Sequence, residues 1–485
     1  MIQAEGTLKE KTSTVMTISE VLKATRGTLT RGKAEGALQG VSTDSRQLQP
    51  GNLFLCLRGE HFDGHRFLAE AAAAGASGFV IQKDVPEALF ETQDKRPVIL
   101  VEDTLRALGE IARCWRRKLN VPVIAITGSS GKTTTKEMVA GILNPTKNVL
   151  KTEGNLNNQI GLPLTLLKLT PRHDVVVVEM GTNMPGEIGR LTRIAEPEIG
   201  VITNIGAAHL EKLKSLAGIR EEKGALFENM NRAGIAVINR DDKSVDILGR
   251  RWQGEQVSFG WKHGADVSAR EVRQAGPFGI AFRLRAGQAD QPVQMQVSGG
   301  HNLYNALAAA AACLAHGADL ERICQGLESF RGVSGRFEIH ALQNGVHVID
   351  DSYNANPASV NEALKTLRKL RCRADSTVIL GDMLELGIKA GAWHQKIGRQ
   401  VAETGVKTLF LMGEYSRDTA AGAGERGMAA DKIHFCESPE QVRDALASSL
   451  KTGDWILVKG SRKMKMERIV RMITEKFGLK EQAAA

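Results

Sequence analysis

The chain has 485 residues, a formal net charge of +9 and 42% hydrophobic residues, enough for about three domains at roughly 150 residues each. No apolar run reaches the roughly 18 residues of a membrane span. Aromatic residues, at 5%, are too sparse to interleave with basic side chains as a nucleic-acid surface would, so the positive charge points to anionic small molecules.

The opening stretch, M-I-Q-A-E-G-T-L-K-E-K, carries no apolar export segment. Cys56, Cys114, Cys313, Cys324, Cys372 and Cys436 show no C-x-x-C pair and no metal-ligand spacing. A reduced, cytoplasmic setting is expected. Two basic runs, residues 113–118 and 459–471, read either as solvated helix faces or as anion-facing surfaces.

Residues 1–117 alternate short strands with helical stretches, among them residues 52–57 and 67–74, and predict a small α/β domain. Within it stands V-S-T-D-S-R, residues 41–46, followed by P-G-N-L-F and by G-x-x-x-D-G-H at 59–65. Ser42, Asp44, Ser45 and Arg46 at a strand exit could bring hydroxyls, a carboxylate and a guanidinium to one polar ligand. Taken alone, the residues favour a structural turn over that ligand site.

The central stretch, residues 118–332, carries the chemistry. Residues 121–126 form a β-branched run predicted as a strand buried on both faces. Gly128, Ser129, Ser130 and Gly131 then turn the chain, and from Lys132 apolar residues fall at helical spacing. A helix opened by such a turn presents free backbone N–H groups to an anion. Lys132 can reach the β- and γ-phosphates of a nucleotide, and the Thr133 hydroxyl can ligate Mg²⁺. The loop is a short variant of G-x-x-x-x-G-K-[ST], because Ile126 occupies the place of the first glycine.

Asn155, Asn157 and Asn158 crowd a glycine-flanked loop suited to a polar ligand. Residues 174–178 predict a buried strand ending in Glu179, placed where a Mg²⁺ ligand belongs in a parallel sheet. A further strand, residues 199–205, delivers His209 to the same edge. Lys223, in a helical R-E-E-K cluster, is expected on a solvated helix face, and the Ala-rich residues 306–315 are expected to be a core helix.

Residues 333–485 open with G-R-F at 335–337. A strand over residues 346–349 closes on D-D-S-Y-N-A-N-P, with a helix from Ser359. Strands over residues 377–380, 408–412 and 455–458 follow, each ending in glycine or a polar group, the pattern of doubly wound sheets at ligand edges.

The ordered motifs T-G-S-S-G-K-T-T, E-G-N-L-N-N-Q-I-G-L-P, E-M-G-T-N-M-P-G-E-I, I-T-N-I-G-A-A-H-L-E, E-K-G, H-N-L-Y-N-A-L, G-R-F-E, D-D-S-Y-N-A-N-P and L-G-D-M-L-E-L-G run from Thr127 to Gly387, within a match that extends from Asp44 to Arg462. Together they resemble the Mur ligase family of peptidoglycan synthesis. D-S-Y-N-A-N-P and L-G-D-M-L-E-L-G point, within it, to the activity joining D-alanyl-D-alanine to UDP-N-acetylmuramoyl-tripeptide.

The resemblance implies a three-domain α/β chain. Its parts would be a UDP-substrate domain (1–117), a P-loop ATPase-type domain with a parallel sheet (118–332) and a Rossmann-like domain (333–485). It implies a cytoplasmic monomer, serving the cell-wall synthesis on which cell shape, division and the cell cycle depend. ATP and Mg²⁺ are the implied cofactors.

By the same matching Gly128, Ser129, Ser130, Gly131, Lys132, Thr133 and Thr134 would hold the phosphates. Asn302 and Asn305 would contact adenine, while Arg336 and Asp351 would reach the phosphates and ribose. Thr133 and Glu179 would hold one Mg²⁺, and His209 with a carbamylated Lys223 a second. Lys132, His209 and Lys223 are the implied catalytic residues. Ser42, Asp44, Ser45 and Arg46 match the uridine-nucleotide side, and Asn155, Asn157 and Asn158 the substrate loop. Because Arg336 and Asp351 lie beyond the central domain in sequence, the third domain must close on the second. Glu221-Glu222 before Lys223 departs from the family's pattern. The rival readings are a folylpolyglutamate synthetase-like ligase, which lacks D-S-Y-N-A-N-P, a nucleotide-dependent switch, and a non-catalytic binding module.

Overall fold

A computed structural model describes residues 15–59, 62–84, 95–276, 278–447 and 450–480. The first fourteen residues, with the whole opening stretch on which the export expectation fell, lie outside that set, as do residues 60–61 within G-x-x-x-D-G-H. Three main sheets follow one another along the chain.

The first sheet has five strands in the order 28–31, 98–101, 78–82, 52–55, 40–42, parallel except for its antiparallel edge strand Thr28–Arg31. Its last connection is the helix Thr104–Leu119, which carries the basic run 113–118. That run is neither solvated nor anion-facing throughout. Arg116 is buried and donates to the Ala195 carbonyl at 2.9 Å, while Arg113 and Arg117 share the Glu196 carboxylate. Trp115 Nε1 donates to the Leu169 carbonyl at 2.9 Å, and one continuous apolar core joins the first two sheets.

The second sheet has nine strands, with Val123–Thr127 lying between Val175–Glu179 and Ile199–Ile202. Every residue of these three strands is buried, which is why their sequences are continuous β-branched runs rather than alternations. Each fully buried aliphatic side chain contributes about 1.5–3 kcal/mol. The helices Lys132–Leu143 and Gly300–Ala315 pack on one face, where small alanines allow close approach, and Glu187–Ala195 and Leu216–Asn229 cover the other.

The expected parallel sheet is present and is extended at its far edge. Val267–Ala275, Gly279–Ala286 and Ala289–Met295 form an antiparallel meander. There apolar and polar residues alternate, as in A-F-R-L-R, so one face packs and the other meets water.

The third sheet has six strands in the order 338–341, 347–351, 455–459, 376–381, 408–412, 433–435, parallel beyond its first antiparallel pair. Its helix Pro357–Leu370 starts two residues before the expected Ser359, with Asn356 as N-cap and proline at the first helical turn. Among the described residues no helix is long and apolar enough to cross a membrane.

Candidate active site

The three central strands end at one edge, and the third sheet faces that edge. A cleft of about 1220 Å³ lies between them.

On the central side, the turn after Val123–Thr127 needs its glycines. Gly128 has φ 151° and Gly131 φ 80°, and added Cβ atoms would come within 1.9 Å of Thr203 Oγ1 and 2.2 Å of Asn305 Oδ1. Asn204 fixes the loop, its Oδ1 accepting from Ser130 N at 3.0 Å while its Nδ2 donates back to the Ser130 carbonyl at 3.1 Å. Ser129, Ser130, Gly131, Lys132, Thr133 and Thr134 line the cleft, and Gly128 stands at its base, its carbonyl accepting from Lys132 Nζ at 2.8 Å. Burial pushes the Lys132 ammonium down from its usual range, against the raising effect of Glu179, and Arg336 lowers it further.

Glu179 is 3% exposed. Its two oxygens accept from Thr133 Oγ1 at 2.9 Å and Asn157 Nδ2 at 2.8 Å. These oxygens form a group suited to a hard divalent cation. Asn155 and Asn158 also line the cleft, and Asn158 Oδ1 accepts the Gly161 amide at 2.9 Å, opening the helix Gly161–Leu167.

The strand Ile199–Ile202 stops earlier than residues 199–205 would have it, so residues 203–209 form a loop along the cleft. His209 lies there at φ 54°, its Nδ1 2.5 Å from Glu385 Oε2 of the third domain.

The expected solvated Lys223 is corrected outright: it is 1% exposed and lies behind the cleft wall rather than on it. It has no hydrogen bond or ion pair among the described residues. Burial first, then the Lys132 charge, bring its pKa to about 7, with Glu222 and Glu179 opposing. The charged spelling R-E-E-K hid this. Glu222 turns inward to cap the helix Glu187–Ala195, accepting Ile188 N at 2.8 Å, Gly186 N at 2.5 Å and Thr182 Oγ1 at 3.0 Å. Only Arg220 and Glu221 face water, where they pair. The departure at Glu221-Glu222 is thus one helix cap and one surface charge.

The third domain supplies the opposite wall. Arg336 Nη2 donates to Thr133 Oγ1 at 3.1 Å and stacks 3.9 Å from the centre of the Tyr353 ring, with Arg462 5.2 Å from the same centre. Asp351 pairs with the fully buried Lys459 at 2.6 Å, so the second basic run begins inside the protein rather than on a solvated face. Asn302 and Asn305, both buried, sit on the first turns of Gly300–Ala315, with Nδ2 of Asn302 donating to the Ser298 carbonyl at 2.8 Å. Beside them Trp261 and Tyr304 meet edge to face. Burial alone would raise the Asp241 pKa. Donors from the Lys262 and Trp261 amides, Tyr304 and His263 instead hold it at about 2, making it an anchor for this corner.

Asp350 projects away from the cleft beside Glu338 and His340, whose ligand atoms lie within 4.8 Å of one another and of its own. Burial pushes its carboxyl up, against donors from Ser352 and the nearby His340, with the Glu338 charge adding to the rise.

Ser42, Asp44, Ser45 and Arg46 do not line the cleft. Asp44 caps the short helix Ser45–Gln47 and holds Arg46 bidentately at 2.9 and 2.7 Å, while the Ser42 hydroxyl donates to the Asp44 carbonyl. The structural turn and the polar cluster are therefore the same object.

Sequence reasoning gave Glu385, Lys459 and Asp241 no role, whereas Tyr353 stood in the D-D-S-Y-N-A-N-P stretch whose acids and Tyr-Asn cluster read as a ligand site. Each follows a strand end or closes one, and that position was the available signal.

Family models match in the same order as the sheets. The Mur ligase family, catalytic domain, matches residues 37–116, the Mur ligase middle domain residues 126–313, and the Mur ligase, glutamate ligase domain, residues 335–462. The chain belongs to the Mur ligase family. It is 37% identical over 457 residues to UDP-N-acetylmuramoyl-tripeptide--D-alanyl-D-alanine ligase of Escherichia coli (strain K12), covering 92% of this chain and 96% of that relative.

Among solved structures, MurF from Acinetobacter baumannii superposes with a TM-score of 0.86 at 32% identity, over 96% of this chain and 99% of that one. MurF ligase from Thermotoga maritima in complex with ADP gives 0.80 at 28%, over 90% and 97%. Folylpolyglutamate synthase from Mycobacterium tuberculosis, at 0.60 and 18% identity over 78% and 95%, shares the fold alone.

Proposed function

We propose that this chain joins D-alanyl-D-alanine to UDP-N-acetylmuramoyl-tripeptide, with ATP going to ADP and phosphate. The observation that carries the reading is the meeting of two domains over one anion site: Lys132, Thr133 and Glu179 on one side, Arg336 and the Asp351–Lys459 pair on the other. The similarity to ligases of that name agrees with it.

A carboxylate is a poor electrophile. Its oxygen first attacks the γ-phosphorus, ADP leaves, and an acyl phosphate forms. The dipeptide amine then attacks the carbonyl carbon, phosphate departs and the amine proton is lost. Positioning and charge neutralisation in a closed site carry such chemistry. Lys132 neutralises the transferring phosphoryl, Arg336 reaches the same oxygens from the closing domain, and Asn302 and Asn305 hold adenine.

Thr133, Glu179 and His209 present hydroxyl, carboxylate and imidazole donors that fit Mg²⁺, which when bound supplies neutralisation of the phosphate charge. A buried lysine with a pKa near 7 is half neutral at physiological pH. Such an amine can attack CO₂, lose a proton and become the carbamate that assists a cation, where an ammonium would repel it. Ser42, Asp44, Ser45 and Arg46 take the uridine nucleotide, and Asn155, Asn157 and Asn158 the peptide. The proposed domains run over residues 1–117, 118–332 and 333–485. A monomer in the cytoplasm suits six cysteines that are all free.

The test is ADP release against a substrate panel. Release requiring both UDP-muramoyl tripeptide and D-alanyl-D-alanine is expected. Release with folate and glutamate would favour a folylpolyglutamate synthetase-like ligase, and release independent of the dipeptide a nucleotide-dependent switch.

A further inference from the structure

His209 and Glu385 stand 176 positions apart and meet across the interface of the second and third domains. The contact is built rather than incidental. Both residues adopt left-handed backbone, φ 54° and 63°, a strained conformation at a non-glycine residue that persists only where surroundings enforce it. The Glu211 amide donates to the Glu385 carbonyl at 3.1 Å, and Leu210 packs into the third domain's core. On the other side the loop is tied to its own domain, the Leu384 amide donating to Ser461 Oγ at 2.8 Å and the Met383 amide to His394 Nε2 at 2.9 Å.

A carboxylate on Nδ1 fixes the imidazole. An Nδ1–H donating to that carboxylate leaves Nε2 as the ring's free position in the neutral tautomer, and the contact holds the ring's orientation. Nε2 makes no hydrogen bond among the described residues, and His209 lines the cleft. The acceptor that holds Nδ1 comes from the third domain.

We propose that Glu385 is a positioning residue that makes divalent-cation binding at His209 conditional on the third domain closing over the second. The inference rests on the reading of His209 as a cation ligand. Coupling of this kind is reciprocal: if closure favours the cation, the cation favours closure by the same factor.

The experiment uses the full chain with a non-hydrolysable ATP analogue and UDP-muramoyl tripeptide. Mn²⁺ binding is read by electron paramagnetic resonance and closure by small-angle scattering, for wild type, Glu385→Gln, Glu385→Ala and His209→Ala. Wild type should bind two Mn²⁺. Both Glu385 variants should weaken the second ion by about 10–100-fold, leave the first unchanged, and compact only at correspondingly higher Mn²⁺. His209→Ala should lose the second ion, and adding Glu385→Gln to it should cost nothing more. Glu385→Gln is nearly isosteric on a half-exposed loop, so it guards against a misfolded alanine variant. A folded Glu385→Gln protein with wild-type affinity for the second ion overturns the inference and leaves the ligase reading intact. A wild type that binds one Mn²⁺ overturns the reading of His209 itself.

Discussion

Lys132 and Lys223 in the cleft region contrast with Arg46 at the corner of the first domain. Lys132 holds a single carbonyl, Lys223 holds nothing, and burial drags both below their ordinary pKa. Arg46 is 80% exposed and already held by both oxygens of Asp44, whose carboxyl its guanidinium keeps below the usual range. Lys132 is kept short of partners, so an incoming anion completes what folding left open. The corner is satisfied without a ligand, so an incoming anion must displace Asp44. The first arrangement should be far more sensitive to substitution than the second.

The largest effect is expected at Lys132. Lys132→Ala should retain the fold and lose about 10²–10³ in kcat, the loss typical of one preorganised contact to charge that develops in the transition state. Steady-state kinetics beside a thermal melt would check it, and near-normal kcat would erase the contrast.

Lys223→Ala should lose about 10–100-fold, as when a residue supporting a cation is removed, and formate or acetate should restore part of it. A pH test sharpens the point. The neutral amine that captures CO₂ predominates above about pH 7 and gives way to the ammonium below it. CO₂-depleted enzyme should therefore recover with bicarbonate more completely at pH 8 than at pH 6, measured by activity or by the mass gain of one carboxylate.

How much of this was legible in the sequence follows from the same contrast. The phosphate loop could be read because its geometry is local: a β-branched strand, a glycine turn and a helix beginning at Lys132, where the structure begins it. The edge position of Glu179 and His209 was equally readable from strand ends. Lys223 was not, because its neighbour Glu222 caps a helix that starts 35 residues earlier, and no spacing rule connects the two. Glu385 eluded a residue-by-residue reading for a like reason, its partner lying in another domain. The antiparallel meander was not read from the sequence, which assigned no elements to residues 267–295.

A smaller effect is expected at the corner. Arg46→Ala should raise KM for the UDP substrate by about 10-fold, the equivalent of one charge-assisted hydrogen bond, with kcat little changed. A kcat loss as deep as that of Lys132→Ala would show that the corner is not peripheral to the chemistry. Smallest of all, Asp44→Asn should shift stability by less than about 1 kcal/mol, as exposed ion pairs do, and should leave KM for ATP alone.

The central claim is that the cleft activates a carboxylate by phosphorylating it. Tripeptide labelled with ¹⁸O in its terminal carboxylate, turned over with ATP and D-alanyl-D-alanine, tests it through the phosphate released, read by ³¹P resonance or mass. The acyl phosphate route predicts one ¹⁸O in each phosphate, because the carboxylate oxygen that attacked phosphorus leaves with it. Phosphate without label, released at the rate the amide forms, would contradict the account.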